Sequence, residues 1–245
     1  MTIQSINEII NTSIPKQKPI KEAMDIYIDG IPDGLSRRNG MIYALCGSGG
    51  SGKTNLLLSL FKSSKLYKNK WHSIYYFIPE TSFKSIKKHP FEGHDKLYHC
   101  LTVDILSGII NDIEAKKNDE DEDIEYNCII IDDFASSLKN NDLTKYLSQT
   151  LTRARHLHTS FIFTLQSYLY FPLILRKQLT YISIFKPKNK KEFETISNEL
   201  IQLNKDDSLI LSNYVFDAPY NHLDADVFEN KIYKNFNALE LVEQE

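Results

Sequence analysis

Met41-Ile-Tyr-Ala-Leu-Cys46-Gly47-Ser-Gly-Gly-Ser-Gly52-Lys53-Thr-Asn-Leu-Leu-Leu-Ser-Leu-Phe61 joins two apolar runs of different character through a glycine-rich turn. The first run is short and rich in strand formers, and the last reads as a buried helix. Between them, Gly47, Ser48, Gly49, Gly50, Ser51, Gly52, Lys53 and Thr54 fit the spacing G-x-x-x-x-G-K-[ST]. Glycines there let consecutive backbone N–H groups turn inward around phosphate oxygens, and the helix that follows adds the positive end of its dipole. Lys53 is placed to reach β- and γ-phosphates and the Thr54 hydroxyl to face Mg²⁺, with Asn55 included in the binding set. The expected ligands are ATP and Mg²⁺.

Working outward, further strands are expected at 73–78, closed by Pro79, and at 97–103, 128–131, 160–165 and 181–185, with a sixth at 208–211. Helices are expected over 104–117, from the acids at 132–133 to about His156, and from about 190 to Leu203. Residues 80–95 read as a polar excursion and the acidic run 118–125 as a solvated loop. Strands alternating with helices imply an α/β fold with a mostly parallel central sheet flanked by helices. The domain reading is an N-terminal arm over 1–38, an ATPase core over 39–212 and a polar C-terminal extension over 213–245.

Composition bounds the partners. A hydrophobic content of 42% supports one sizeable core, and a net charge of −3 requires any DNA to be met by a local basic patch. The candidates are the turn Lys186–Lys191 and the run Lys84–Lys88, either of which could instead be plain solvated surface. Three cysteines, an odd number, suggest free thiols in a reducing compartment. No apolar run approaches the ~20 residues that a bilayer needs, and the N-terminus lacks a signal-peptide pattern. A soluble intracellular protein without a membrane partner is expected.

A second chemical motif is Cys128-Ile-Ile-Ile-Asp132-Asp133, an apolar strand ending in two acids. Asp132 takes the Mg²⁺-associated role and Asp133 that of general base toward the attacking water, although the pair could also cap the following helix. An acid beside the Mg²⁺ carboxylate points to motor-type ATPases, and the segment 73–78 leaves room for their additional-strand arrangement. Gln166, ending the strand Phe163-Thr-Leu-Gln166, is placed to sense the γ-phosphate. Arg153, Arg155 and Arg176 are candidates to reach a neighbour's γ-phosphate, against the alternative of arginines that serve their own helix ends. The seven histidines show no metal-ligand spacing.

Together these features resemble the HerA/FtsK superfamily of DNA-pumping ATPases, and most of all its viral branch, the genome-packaging ATPases of poxviruses, giant viruses and virophages. The resemblance is carried by Arg38-Asn-Gly-Met and the residues on to Leu58, by Ile131-Asp-Asp133, by Arg153-Ala-Arg-His-Leu157, and by Gln166 followed by Pro172 and Arg176. It spans roughly residues 35–187. It implies a RecA-like P-loop NTPase core of the additional-strand, catalytic-acid class. It also implies ATP hydrolysis coupled to double-stranded DNA translocation by a homo-oligomeric ring, a pentamer or hexamer, docked at a viral capsid vertex. The expected setting is the host cytoplasm or viral factory, or the virion itself. Many superfamily members carry Glu where this chain has Asp133, and the shorter side chain would slow water activation. With only about sixty residues after the fifth expected strand, no nuclease is expected. The competing readings are a helicase or helicase loader, a P-loop small-molecule kinase, and a non-catalytic nucleotide-binding structural protein.

Overall fold

Along Ile42–Cys46, Ile42, Ala44 and Cys46 pack into one apolar cluster and Tyr43 and Leu45 into another, and all five are buried. A strand buried on both faces demands cover on both, and the alternating helices supply it. The computed structural model of the protein describes residues 2–5, 31–37, 39–87, 89–117 and 123–242. Residues 6–30, Arg38, Lys88 and 118–122 lie outside these, and with them most of the expected N-terminal arm and part of the acidic run.

The strands are β1 (Thr2–Ser5), β2 (Ile42–Cys46), β3 (Ser73–Phe77), β4 (Leu97–Tyr98), β5 (Asn127–Ile131), β6 (Thr159–Leu165), β7 (Tyr181–Phe185), β8 (His222–Asp226), β9 (Lys231–Lys234) and β10 (Asn237–Val242). The α-helices are α1 (Asp33–Ser36), α2 (Lys53–Lys62), α3 (Glu80–Lys84), α4 (Val103–Lys117), α5 (Asn141–Thr152), α6 (Leu173–Arg176), α7 (Lys190–Ile196) and α8 (Lys205–Val215). One sheet runs β1-β10-β9-β8-β7-β2-β6-β5-β3-β4. From β7 to β4 every pairing is parallel, and from β7 outward to β1 every pairing is antiparallel.

In the parallel half, β6 stands between the phosphate-loop strand β2 and the acid-bearing strand β5. The additional strand is therefore β6, and the stretch at 73–77 lies beyond β5 as β3. α4, α5, α7 and α8 pack with one sheet face, and α2 with Leu35, Tyr67 and Trp71 packs with the other.

Several expected elements differ. Ser208–Leu211 is not a strand but the middle of α8, where Ser208, Leu211 and Val215 are buried at helical spacing. The Asn204 side chain accepts from the Asp207 N–H and starts that helix, a local cap that outweighs a short apolar run. The strand expected at 97–103 shrinks to Leu97–Tyr98, because Val103 opens α4. Between Asp133 and α5 the chain makes turns and a 3₁₀ segment at Ser137–Lys139, and α5 itself ends at Thr152 rather than near His156. The polar tail supplies β8, β9 and β10 to the same sheet.

Candidate nucleotide-binding and hydrolysis site

The glycine-rich turn follows β2 directly. The Gly47 N–H donates to the Leu165 carbonyl at 3.0 Å, which ties the start of the loop to the end of β6. A Cβ on Gly47 would lie 2.6 Å from Ser51 Oγ and 2.8 Å from Phe185 Cβ, so a side chain is excluded there. Gly52 holds φ +107°, outside the range of L-residues, and turns the chain into α2. No side chain caps α2, so its first N–H groups face the loop. The Lys53 ammonium donates to the carbonyls of Gly47 (2.5 Å) and Ser48 (3.0 Å), which holds it over the loop. Burial lowers the pKa of Lys53, and the carboxylates of Asp132 and Asp133 oppose that shift. Ser51 Oγ is buried without a hydrogen-bond partner, a polar atom left for a ligand in the cradle.

The two acids at the end of β5 have separate environments. Asp132 is 2% exposed. Its Oδ2 accepts from Tyr76 Oη at 2.7 Å, and its Oδ1 accepts from Thr164 Oγ1. Burial raises its pKa, while the bonds from Thr164 and Tyr76 favour the carboxylate and limit the rise. Asp133 adopts φ +60°, a left-handed conformation that aspartate tolerates better than most residues. Its Oδ1 accepts from Gln166 Nε2 at 3.1 Å and its Oδ2 from Ser82 Oγ at 2.8 Å. The Asp133 N–H donates to Thr164 Oγ1 at 3.0 Å, so one threonine fixes both acids.

The strand order brings Asp132, Asp133 and Gln166 together: Ile131 pairs with Phe163, three residues before Gln166, and with Phe77 on the other side. Tyr76, Thr164 and Ser82, which the sequence reading passed over, touch the acids through this same pairing. Nothing local marks them, because Tyr76 and Thr164 act across strands and Ser82 reaches Asp133 from α3. Thr54 and Asp132 offer hard oxygen donors suited to Mg²⁺, which usually takes one or two protein ligands plus phosphate and water.

A cleft of ≈ 260 Å³ opens beside the loop, lined by Gly47, Ser48, Gln166, Phe185, Lys188 and Glu192 among others. Lys188 belongs to the basic turn after β7. Glu192 accepts from Ser167 Oγ and the Tyr168 N–H, both at 2.6 Å, and pins the chain just beyond Gln166. Lys84 lies apart from this cleft on α3, in an exposed pair with Glu80 at 2.5 Å.

The arginines are not drawn to the chain's own phosphate loop. Arg153 and Arg155 lie in the turn that leads into the start of β6, the edge of the parallel sheet opposite the loop. Arg153 pairs with Glu114 at 2.7 Å, and Arg155 lies 5.3 Å from the Phe228 ring centroid, which Arg37 approaches at 4.7 Å. Arg176 is held inside its own chain, 3.2 Å from both Glu199 oxygens and over the Tyr168 ring.

Among the described residues, no helix is long and apolar enough to cross a membrane. No curated protein matches the chain. In fold the chain is similar to the DNA-packaging ATPase B204 from Sulfolobus Turreted Icosahedral Virus, at TM-score 0.60 and 17% identity over 80% of this chain and 97% of that one. The genome packaging NTPase B204 of Sulfolobus turreted icosahedral virus 2, in complex with AMPPCP, aligns at TM-score 0.53 and 16% identity over 80% and 96% of the two chains. The pCW3 conjugation coupling protein TcpA, with ATPγS, aligns at TM-score 0.57 and 13% identity over 92% and 70%. Residues 35–233 match the family described as Poxvirus A32 protein. With that match spanning most of its length and the fold in agreement, the chain belongs to the Poxvirus A32 protein family.

Proposed function

We propose that the protein is an ATPase that drives double-stranded DNA into a preformed viral capsid, working as a homo-oligomeric ring at the capsid vertex. The observation that carries this reading is the Asp133–Gln166 hydrogen bond at the end of an inserted strand, beside a complete phosphate loop. That arrangement couples a water-activating carboxylate to a group that meets the γ-phosphate. The family match and the packaging ATPases that share the fold support the same reading.

In this mechanism the loop amides and Lys53 hold the triphosphate, and Thr54 with Asp132 would hold Mg²⁺. When bound, that ion neutralises charge on the phosphate oxygens. Asp133 accepts the proton of the attacking water, and Gln166 orients Asp133 through its amide. An arginine from the adjacent subunit, Arg153 or Arg155 by their exposed position, stabilises charge in the transition state. Lys186–Lys191 and Lys84–Lys88 are the proposed phosphate contacts to DNA.

The test is steady-state ATP hydrolysis against protein concentration, with and without long duplex DNA. Turnover should rise more steeply than linearly with concentration, increase with duplex DNA, and fall at least ~10²-fold in Lys53→Ala and Asp133→Asn. Turnover linear in protein and indifferent to DNA would refute the ring motor and favour a kinase.

A further inference from the structure

Tyr220 is a bulky side chain held at φ +67° and 70% exposed, in the turn between α8 and β8. Neither property is favourable in isolation. The turn is nonetheless fastened on both sides. Asn221 Nδ2 donates to Asp217 Oδ1 at 2.6 Å, Asn235 Nδ2 donates to Asn221 Oδ1 at 2.8 Å, and Lys234 pairs with Asp217 at 2.9 Å. A strained conformation that its surroundings over-determine points to a use for the side chain.

The ring's position suggests that use. A Cβ built on Gly52 would lie 3.3 Å from Tyr220 Cδ1 and 3.3 Å from Phe185 Cε1, so two aromatic rings border the last glycine of the phosphate loop. Phe185 is buried and packs on His222, with ring centroids 5.2 Å apart, and so forms a wall. Tyr220 remains as the ring with an open face. Gly47 and Ser48, at the other end of the loop, share their cleft with Gln166, on the γ-phosphate side. Gly52 lies where α2 begins, and Tyr220 is not among the residues lining the cleft that holds Gln166. A ring bordering that end stands where the ribose and base leave the phosphates.

We propose that Tyr220 is the stacking platform for the base of the nucleotide, adding to its affinity while the loop holds the triphosphate. This rests on the nucleotide-binding reading above and adds to it the group that recognises the nucleoside. Every base offers a π-face, and stacking of bases on aromatic side chains is strong enough to survive mutational test.

Titration calorimetry on the full chain with Mg·ATP and with Mg·triphosphate, which has no base, separates the two readings. Tyr220→Ala should weaken ATP about 10-fold and leave triphosphate within about 2-fold of wild type, which also shows that the loop is still folded. Tyr220→Trp should restore ATP affinity. Unchanged ATP affinity in Tyr220→Ala, or equal weakening of ATP and triphosphate, would overturn the platform. Wild-type protein that binds neither ligand would overturn the nucleotide reading and the platform with it.

Discussion

Thr164 donates to Asp132 and accepts from the Asp133 N–H, so a single hydroxyl favours the charged form of a buried carboxylate and holds a strained residue in place. Replacing it with Val removes the donor and leaves the Asp133 N–H without its acceptor. Thr164→Val should cost about 1–3 kcal/mol of stability, read as a lowered denaturation midpoint, whereas Thr164→Ser should remain near wild type. A Thr164→Val midpoint equal to wild type would show that water replaces both bonds. Ser82 plays a different part. It sits on α3, which buries none of its residues, and donates to the Asp133 oxygen that Gln166 leaves open. The bond occupies an oxygen that an attacking water would otherwise approach, so Ser82→Ala should raise kcat about 2- to 5-fold without a change in KM. A fall in kcat would instead make Ser82 an orienting group.

At the scale of elements, the antiparallel addition β8–β10 carries the least expected chemistry. All five residues of β8 are buried, and three of them are His222, Asp224 and Asp226. Asp224 accepts from Ser183 Oγ on β7 and from the Phe236 N–H, and Ser183 in turn bonds Tyr43 on β2 at 2.8 Å. Burial pushes the Asp224 pKa up to about 6, against the pull of His222 and these hydrogen bonds. The folded state therefore binds the proton more tightly than the unfolded chain, whose aspartates titrate near 3.9. That stabilising contribution is complete below about pH 4 and is lost as pH rises through about 6. Asp224→Asn keeps an acceptor for Phe236 and can donate to Ser183, with Tyr43 able to accept in turn. It should raise the melting temperature at pH 8 and change it little at pH 4. A loss of stability at pH 8 would mean that the charged form is fully compensated by His222. The same buried acids explain why these strands were not legible in the sequence. Leu223 and Ala225 pack into the core, but the other face of His-Leu-Asp-Ala-Asp carries His222, Asp224 and Asp226, which reads as solvated, and the partners of Asp224, Ser183 and Phe236, lie elsewhere in the chain. Ser208–Leu211 misled in the opposite direction, because four residues cannot show a helical period. The strand, turn and helix around the phosphate loop were legible because β2, the loop and α2 follow one another without a gap, and Asp132 stands directly after the apolar run that forms β5. Tyr76, Thr164 and Ser82 were not, since only the order of β3, β5 and β6 brings them to the acids.

At the scale of the whole molecule, the geometry places the candidate hydrolytic residues at two edges of the sheet. The phosphate loop, Asp133 and Gln166 follow the strand ends at one edge, and Arg153 and Arg155 precede β6 at the other. Neither arginine can serve the loop of its own chain without crossing the sheet, so in the proposed ring an arginine would have to act on a neighbour's loop. The Arg153–Glu114 pair is half exposed, at 51% and 35%, and exposed pairs of this kind contribute about 0–1 kcal/mol, so the arginine is released at little cost. Arg176, 13% exposed and held by Glu199, is poorly placed for the same task. These positions predict complementation between inactive subunits. Lys53→Ala lacks a working loop yet keeps its arginines, and a double Arg153→Ala, Arg155→Ala variant keeps its loop yet offers no arginine. Each alone should hydrolyse ATP at least ~10²-fold more slowly than wild type. Mixed in equal amounts, they form interfaces in which an intact loop faces an intact arginine, and turnover should recover to a substantial fraction of wild type. Mixing the double variant with Asp133→Asn should give the same recovery, since that variant also donates arginines. Arginines acting within their own chain would leave every mixture as inactive as its parts.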